Sequence, residues 1–322
     1  MTPAWIALVA PAIVAWLAIV LLLRSPLARR LVDRPNERSL HTSPTPRVGG
    51  IAVLLGALPI SVWTSGAQLA TPLACAVALA LVSLADDYRS LPVVVRLAAH
   101  FAAAALAAVE LGAGAAITVL VAFAIAWMTN LYNFMDGADG LAGGMAVIGF
   151  SAYAVAAHAA GAPALAMASI ALASASAGFL AFNFPPARVF LGDVGSIPLG
   201  FLAGALGIAG FAAGAWPAWF PVMVFSPFIA DASLTLLRRI TRRERVWRAH
   251  RSHYYQRLVL SGWTQRKLAL CAYAWMLASA GAALAGRGAG VLLQCVIIVV
   301  ATIASAVLFV AVDRHLRPRG AS

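Results

Sequence analysis

The sequence predicts an all-α protein that crosses a membrane many times, and three observations support this fold class. Of the 322 residues, 62% are hydrophobic and only 11% are charged, whereas a soluble domain carries about 25% charged residues. Apolar stretches long enough to cross a hydrocarbon layer of ~30 Å recur along the whole chain. The longest polar stretches span only about 25 to 30 residues, so no large soluble domain is expected.

The helices follow from these apolar stretches in order. The first, PAWIALVAPAIVAWLAIVLLL, lacks a basic segment before it and a small-residue cleavage site, which favours a retained spanning helix over a signal peptide. The fifth must end near Gly137, because nearby glycines weaken a helix. We predict about eleven spanning helices, near residues 4–23, 49–64, 68–85, 93–111, 115–132, 142–160, 163–182, 196–213, 216–236, 268–286 and 291–312.

The basic residues predict the orientation of these helices. All but one of the 23 Lys and Arg residues fall on a single membrane face, and only Arg287 lies on the other. By the positive-inside rule that face is cytoplasmic, which places the N-terminus outside and the C-terminus inside. The net charge of +12 reflects this bias, and no nucleic-acid partner is expected. Residues 1–322 then form a single transmembrane domain, with cytoplasmic active-site loops near 24–48, 86–92, 133–141, 183–195 and 237–267.

Carboxylates accompany the arginines to the same face. Ionisable groups at membrane depth are costly and usually mark a site. Several acids on one face would repel each other, so arginines or a divalent metal must hold them there. The acids concerned are Asp86, Asp87, Asp136, Asp139, Asp193 and Asp231.

The segment LVSLADDYRSLP places Asp86 and Asp87 at the C-terminal end of the third predicted helix. The helix dipole disfavours negative charge at this end. A solvated helix end balanced by Arg89 is one interpretation. Two successive departures from a local preference favour the other, a general base or a group beside a metal.

The segment NLYNFMDGADGLAGG repeats polar residues at three-residue spacing: Asn130, Asn133, Asp136 and Asp139. Its glycines permit a tight loop whose backbone can approach a phosphate. Asn, Asp and Gly are also ordinary turn residues. Four such polar residues at membrane depth nevertheless favour a functional site.

In RVFLGDVGSIPLG, Asp193 precedes a new helix, so it is also a candidate N-cap, with Ser196 as a second candidate. Oxygen ligands from Asp and Asn suit Mg²⁺, with Mn²⁺ as an alternative, and no Cys/His set indicates zinc. The three cysteines lie singly in apolar stretches and predict neither disulfides nor a metal cluster.

The last large loop, RRITRRERVWRAHRSHYYQRLVLSGWTQRK, interleaves arginines with histidines and aromatic residues. A polybasic segment on anionic lipid is one interpretation. Arginine clusters also bind phosphate, and the first loop, RSLHTSPTPRVGGIAV, adds further basic residues before a Gly-Gly pair. The candidate substrate-binding residues are Arg47, Asn130, Arg188, Arg248, His250, Arg251 and His253.

Five segments together resemble one family. SLHTSPTPRVGG, DDYRSLP, NLYNFMDGADGLAGG, LGDVGS and HRSHYYQRL are similar to segments of the polyprenyl-phosphate N-acetylhexosamine-1-phosphate transferases, the glycosyltransferase 4 family. The resemblance implies transfer of an N-acetylhexosamine-1-phosphate, or a 6-deoxy derivative, from a UDP-sugar to undecaprenyl phosphate, with release of UMP and use of Mg²⁺. It also implies a bacterial inner-membrane enzyme whose active site faces the cytoplasm. A homodimer is compatible with the sequence.

The resemblance implies roles for four residues of these motifs. Asp86 resembles the acid that interacts with the polyprenyl phosphate, as base or nucleophile, and Asp87 lies beside it. Asp193 resembles the family's Mg²⁺ ligand, and Asn133 lies where relatives offer a second ligand. Direct attack and a two-step route through an acyl-phosphate are both chemically permitted.

Two further pairs match the family less uniformly. Asp136 and Asp139 match its nucleotide-binding and active-site acids. His250 and His253 occupy the region of its late histidine motif, but they are separated by two residues, whereas the peptidoglycan enzyme has consecutive histidines. This spacing and the eleventh predicted span favour the branch that initiates O-antigen synthesis in lipopolysaccharide biosynthesis.

Three alternatives remain open from the sequence. Phospho-MurNAc-pentapeptide transfer in peptidoglycan synthesis is the nearest. A membrane transporter would also carry acids and arginines, but near the bilayer midplane and often on broken helices. The CDP-alcohol phosphotransferases share a DG motif, but DGADGLAGG lacks the Ala-Arg that follows it in that family.

Overall fold

The computed structural model describes residues 4–37, 39–112, 114–245 and 250–316, and most of these residues are helical. A 3₁₀ turn, Gly66–Leu69, joins the third and fourth α-helices. The helices are α1 (Ala4–Arg24), α2 (Pro26–Arg30), α3 (Gly49–Ser65), α4 (Ala70–Arg89), α5 (Val93–Val109), α6 (Ala115–Phe134), α7 (Leu141–Ala159), α8 (Pro163–Asn183), α9 (Asp193–Ala212), α10 (Trp219–Val224), α11 (Ser226–Thr241), α12 (Tyr254–Leu260), α13 (Gln265–Gly286) and α14 (Val291–His315).

Eight helical segments of the described chain are long and apolar enough to cross a membrane. One of them, Gly49–Arg89, contains both α3 and α4. Helix α5 is apolar but shorter, with 17 residues. The predicted all-α, multi-pass membrane fold is confirmed, whereas the count of eleven spans and the orientation stay predictions.

Helices α7, α8 and α9 form the centre of the molecule. The buried shares of their apolar windows are 72%, 67% and 78%, against 6% for α14 at the periphery. Helix α8 packs on α1, α3 and α7, and α9 packs on α4 and α6. Small residues allow this close packing, as where Gly178 meets the backbone of Ala12.

Several predicted helix boundaries are wrong. The helix predicted over 216–236 is two helices, α10 and α11, which meet at Phe225. The break has a physical cause, because Pro227 has no N–H to donate to the carbonyl four residues earlier. Helix α4 runs to Arg89 and not to residue 85, and the last large loop contains the short helix α12, which the sequence did not predict.

The first loop contains an unpredicted two-stranded antiparallel sheet. Strand β1 (Val32–Asp33) pairs with β2 (Thr45–Pro46). The amide of Phe190 donates to the Pro46 carbonyl at 2.8 Å, and the Phe190 carbonyl accepts from Gly49 at 3.0 Å. Backbone groups at the start of α3 therefore find partners in the loop that precedes α9, which holds these two distant segments side by side.

Candidate active site

A polar cavity of about 240 Å³ lies where loops from distant parts of the chain meet. Four acids line it, and Arg47 is the only arginine in its wall within the described residues. Its lining residues are Asp33, Asn36, Ser39, Leu40, His41, Arg47, Asp136, Gly137, Ala138, Asp139, Asn183, Phe190, Gly192, Asp193, Gln256 and Gln265. The first loop, the turn after α6, the loop before α9 and the starts of α12 and α13 thus share one site.

Asn133 and Asp193 join the end of α6 to the start of α9. The Asn133 Nδ2 donates to Asp193 Oδ1 at 3.0 Å and to Ser196 Oγ at 2.9 Å. Asp193 is the first residue of α9, and the N-cap is Gly192, with no side-chain capping bond. The alternative in which Asp193 or Ser196 caps the helix is therefore wrong, since the Ser196 hydroxyl bonds to the Gly192 carbonyl instead.

The pair fits a magnesium site that is completed by substrate. No three Asp, Glu, His or Cys side chains of the described residues converge closely enough to hold a metal alone. Mg²⁺ usually keeps several waters and takes only one or two protein carboxylates together with substrate phosphates. Asp193 offers a carboxylate at the cavity wall, and Asn133, whose Nδ2 bonds to that carboxylate, offers an amide oxygen. These two residues would hold the ion.

Asp86 and Asp87 lie in the last turn of α4 and pair with arginines. Asp87 contacts Arg47 at 2.9 Å, and Asp86 contacts Arg96 at 2.9 Å. Asp86 also accepts from the backbone amide of Leu91 at 2.6 Å. Neither acid lines the cavity directly. Distant arginines, and not the adjacent Arg89, offset their charge at this unfavourable helix end.

Asp136 and Asp139 lie in the tight turn between α6 and α7, and both line the cavity. Burial and the nearby charge of Asp193 raise the pKa of Asp136 well above its ordinary value, although the amide of Gly192 opposes this. Burial also raises the pKa of Asp139, opposed by its hydrogen bond from the Ala187 amide at 2.9 Å. These raised pKa values favour the neutral carboxylic acids, and a cation bound nearby would favour the ionised forms instead.

Neighbouring segments hold this turn in place. Gly140 has a φ of +75°, a conformation that glycine adopts without steric cost. Its amide donates to Asn183 Oδ1 at 2.9 Å, and its carbonyl accepts from the Tyr273 hydroxyl at 2.7 Å. The Tyr255 hydroxyl donates to the Phe134 carbonyl at 3.0 Å. Helices α8, α12 and α13 thus fix the position of both turn acids.

Two of the predicted substrate-binding residues lie away from the cavity. The Asn130 amide donates to the Ala126 carbonyl at 2.7 Å within α6, and its oxygen lies 3.2 Å from His100 Nδ1. Arg188 donates to the Ala181 carbonyl at 3.1 Å, and its guanidinium lies 5.0 Å from the Phe182 ring centre. Neither geometry supports the predicted contact with substrate.

His253 is a buried structural group. Its Nδ1 lies 3.2 Å from Asp231 Oδ1, and the two Asp231 oxygens accept from the amides of Tyr254 and Tyr255, each at 3.0 Å. Asp231 thereby binds the N-terminus of α12, where a carboxylate is favourable. Helix α12 in turn carries Gln256 into the cavity wall.

The other predicted residues of the last loop are more distant. The His250 ring centre lies 4.9 Å from that of His253. Burial, His253 and Arg239 lower the pKa of His250 to about 4, so His250 is neutral near pH 7. Arg251 lines a different cavity. The predicted residue Arg248 lies outside the described residues.

Sequence reasoning missed several cavity residues. His41 and Asp33, whose side chains lie 4.0 Å apart, occur in the basic first loop, and the SLHTSPTPRVGG segment was a signal for the histidine. Asn183, Gln256 and Gln265 belong to no recognisable pattern. Their position depends on how α8, α12 and α13 pack, so no local signal could have identified them.

Comparison with known proteins agrees with this geometry. Residues 69–211, which carry α4 to α9 and both metal candidates, match the family model described as Glycosyl transferase family 4. A probable undecaprenyl-phosphate N-acetylglucosaminyl 1-phosphate transferase of Bacillus subtilis is 27% identical over 79% of this chain and 78% of its own. A decaprenyl-phosphate N-acetylglucosaminephosphotransferase of Mycobacterium tuberculosis is 29% identical over 78% of this chain and 74% of its own.

A second branch of relatives matches a shorter region. A phospho-N-acetylmuramoyl-pentapeptide-transferase of Anoxybacillus flavithermus is 42% identical over 92 residues, which is 29% of this chain and 28% of the relative. The family match, both groups of relatives and the convergence of the motif acids agree. These findings support the glycosyl transferase family 4 superfamily as the one that this chain resembles.

Proposed function

We propose that the protein transfers an N-acetylhexosamine-1-phosphate, or a 6-deoxy derivative, from a UDP-sugar to undecaprenyl phosphate and releases UMP. The observation that carries the proposal is the Asn133–Asp193 contact of 3.0 Å, which joins two motif residues 60 positions apart at an acidic cavity. The names of the relatives from Bacillus subtilis and Mycobacterium tuberculosis support the choice of a polyprenyl-phosphate acceptor and an N-acetylglucosamine-type donor.

The chain's own groups have distinct tasks in this proposal. The oxygens of Asp193 and Asn133 would hold Mg²⁺, and the ion would supply positive charge to the donor diphosphate. Arg47 binds phosphate oxygens from the opposite wall while it pairs with Asp87. Asp136 and Asp139 orient the nucleotide part of the donor.

The acceptor enters from the membrane side, beside Asp86 and Arg96. The Arg96 side chain is 34% exposed and so can contact a carrier phosphate while it holds Asp86. An oxygen of that phosphate attacks the phosphorus that bears the sugar. A new P–O bond forms, the P–O bond to UMP breaks, and UMP leaves with the electron pair. Preorganised arginines stabilise the charge on the phosphoryl oxygens.

We assign the reaction to the start of O-antigen or another cell-envelope polysaccharide, on the cytoplasmic side of the inner membrane. The spaced histidines and the excess of arginines at one face support this assignment. The second candidate is phospho-MurNAc-pentapeptide transfer, which the 42% identity over 92 residues favours. Transport is disfavoured because the acids meet at helix ends around one cavity.

Product analysis tests the proposal. Membranes containing the protein are incubated with undecaprenyl phosphate, Mg²⁺ and one radiolabelled donor at a time: UDP-GlcNAc, UDP-GalNAc, UDP-FucNAc, UDP-QuiNAc or UDP-MurNAc-pentapeptide. We expect a lipid-extractable product from one of the first four donors, and added UMP should suppress it. Label in lipid only with the muramyl donor would support the second candidate. Uptake into vesicles without any lipid product would contradict both.

A further inference from the structure

A second polar cavity, of about 310 Å³, lies between the end of α11 and the start of α12. Within the described residues it shares no wall residue with the candidate active site. One acid, Glu244, lines it. Five arginines line it as well: Arg238, Arg239, Arg242, Arg251 and Arg257.

Two of these arginines are held in a fixed arrangement on one wall. Arg238 and Arg257 each donate to Asp313 of α14 at 3.0 Å. Their guanidinium carbons lie 4.9 and 5.0 Å from the centre of the Tyr254 ring, which both contact. One carboxylate thus serves two guanidinium groups, so this wall retains positive charge and its donors are pre-oriented.

Nearby acids offset the positive charge of the remaining three arginines even less. Arg239 has a side chain only 11% exposed and lies 3.5 Å from Glu244. Its Nη2 donates to the Arg245 carbonyl at 3.0 Å, but its buried Nε has no hydrogen-bond partner among the described residues. Arg242 and Arg251 are exposed and contact no acid among the described residues. Five guanidinium groups therefore meet only two carboxylates, and a buried donor points to a missing acceptor.

We propose that this cavity binds a phosphate-bearing anion with at least two negative charges. Arginine forks match phosphate oxygens in geometry and charge, and several converging forks select a doubly charged ligand over a chloride ion. The cavity lies where α11 and α14 end, at the predicted membrane surface, so the ligand is either an anionic lipid headgroup or a soluble phosphate. This site is separate from the proposed transfer reaction.

Binding of radiolabelled inorganic pyrophosphate to the purified full chain in uncharged detergent tests the site. The test variant combines Arg239→Gln with Arg242→Gln. The matched control combines Arg29→Gln with Arg30→Gln, which removes two exposed arginines of α2 and leaves the cavity intact. Wild type and control should bind about one more equivalent than the test variant, or bind it at least tenfold more tightly. Any pyrophosphate at the candidate active site should be equal in all three.

A lipid experiment separates the two sources of phosphate. The same proteins are placed in phosphatidylcholine nanodiscs with or without cardiolipin, and retained lipids are counted by native mass spectrometry. Cardiolipin retained by wild type and control, but lost from the test variant, identifies a lipid site. A difference with pyrophosphate alone identifies a soluble ligand.

A single variant guards against misfolding of the double variant. Arg242→Glu alters one exposed side chain. It should reduce binding of the same probe, pyrophosphate or cardiolipin, that the double variant loses. Equal binding of both probes by wild type, control and both test variants would overturn the proposal.

Discussion

The Asn133 amide shows how one side chain organises the candidate site. It donates to Asp193 and to Ser196, and so it joins two helix ends that are distant in the sequence. Because its Nδ2 makes both of these bonds, its Oδ1 takes no part in them and is a potential metal ligand. Oxygen ligands from an amide and a carboxylate are the type that a hard cation such as Mg²⁺ prefers.

Replacement of Asp193 by Asn should lower Mg²⁺-dependent transfer by at least about a hundredfold, because a charged oxygen ligand becomes a neutral amide. The fold should survive, since Asn can still accept from Asn133. Initial rates over a Mg²⁺ titration measure the effect. Glu110→Gln, at the C-terminal end of α5, is the control. A wild-type rate in Asp193→Asn membranes would show that Asp193 does not hold the Mg²⁺ needed for transfer.

His250 should make stability depend on pH. Its pKa is lowered from 6.5 to about 4 in the folded protein. Between these values the unfolded chain binds more protons than the folded chain, so this group destabilises the fold at pH 4 and the effect is lost as pH rises to about 6.5. Thermal unfolding midpoints from pH 4.5 to 7 should therefore rise less steeply in His250→Gln than in wild type. An unchanged slope, with His158→Gln as control, would contradict this expectation.

Substitutions at Gly137 and Tyr255 should have non-additive effects on stability and activity. A Cβ at Gly137 would collide with the Tyr255 hydroxyl, which donates to the Phe134 carbonyl. Gly137→Ala should therefore displace the turn that carries Asp136 and cost about 1–3 kcal/mol. Adding Tyr255→Phe removes the colliding oxygen and should restore part of the lost stability and transfer activity.

A double-mutant cycle measures this coupling, with unfolding midpoints and transfer rates for the two single variants and the double variant. Gly281→Ala is the matched control, because a Cβ there meets no atom within 4 Å. Strictly additive effects of Gly137→Ala and Tyr255→Phe would show that the collision is unimportant.

Among single residues, those in compact motifs could be predicted. The three-residue spacing of Asn and Asp identified Asn133, Asp136 and Asp139, and the structure places them at the end of α6 and in the turn that follows it. Asn130 shares that spacing but points back into α6. The pattern could not tell them apart, because helix end and helix interior differ here by less than one turn.

At the scale of elements, α3 and α9 cross near the site with their backbones in close contact. A Cβ on Gly50 would collide with the backbone nitrogen and Cα of Gly195. The Gly50 amide also donates to the Leu191 carbonyl at 2.9 Å. Neither helix can carry a side chain at this point, since backbone cannot yield as a flexible side chain does.

Gly50→Ala should therefore separate the two helices and destabilise the protein by more than about 3 kcal/mol, the upper end of ordinary overpacking. Unfolding in detergent and the yield of folded protein measure the effect. Gly281→Ala, with open space at its Cβ, should be close to neutral or slightly stabilising. Equal stability of the two variants would show that α3 and α9 can move apart at little cost.

The elements that the sequence missed have physical explanations. Apolar length alone could not separate α10 from α11, because both are apolar, although Pro227 was a usable signal. Helix α12 has only seven residues and lies in a basic loop. It depends on the buried Asp231 carboxylate that accepts its first amides, which is a tertiary contact without a local pattern.

At the scale of the whole molecule, the testable prediction is the orientation of the chain in the membrane. Eleven spans with the N-terminus outside place Ala160, after α7, on the outer face and Ala187, before α9, on the cytoplasmic face. Single cysteines at these two positions, in a chain without its native cysteines, should differ in labelling of intact cells by a membrane-impermeant maleimide. Ala160→Cys should react and Ala187→Cys should react only after permeabilisation. The reverse pattern would place the candidate active site on the outer face of the membrane.

The general architecture followed from composition, because a chain this apolar can satisfy its backbone in lipid only with helices or a closed barrel, and the apolar stretches have helical length. Which helices lie at the centre did not follow. Helices α8 and α14 are both strongly apolar, yet their buried shares are 67% and 6%. The difference arises from small residues that permit close contact, and that property is visible only when the partner helix is known.

The backbone contact between Gly50 and Gly195 has one further consequence. Arg47 precedes the first helix of this pair and Asp193 begins the second, so the two residues should move together as one rigid unit. Widening of the cavity for a bulky donor would then depend on its other walls, which are the first loop, the turn after α6, the end of α8 and the starts of α12 and α13. Substrate admission and product exit should accordingly be tasks for those segments.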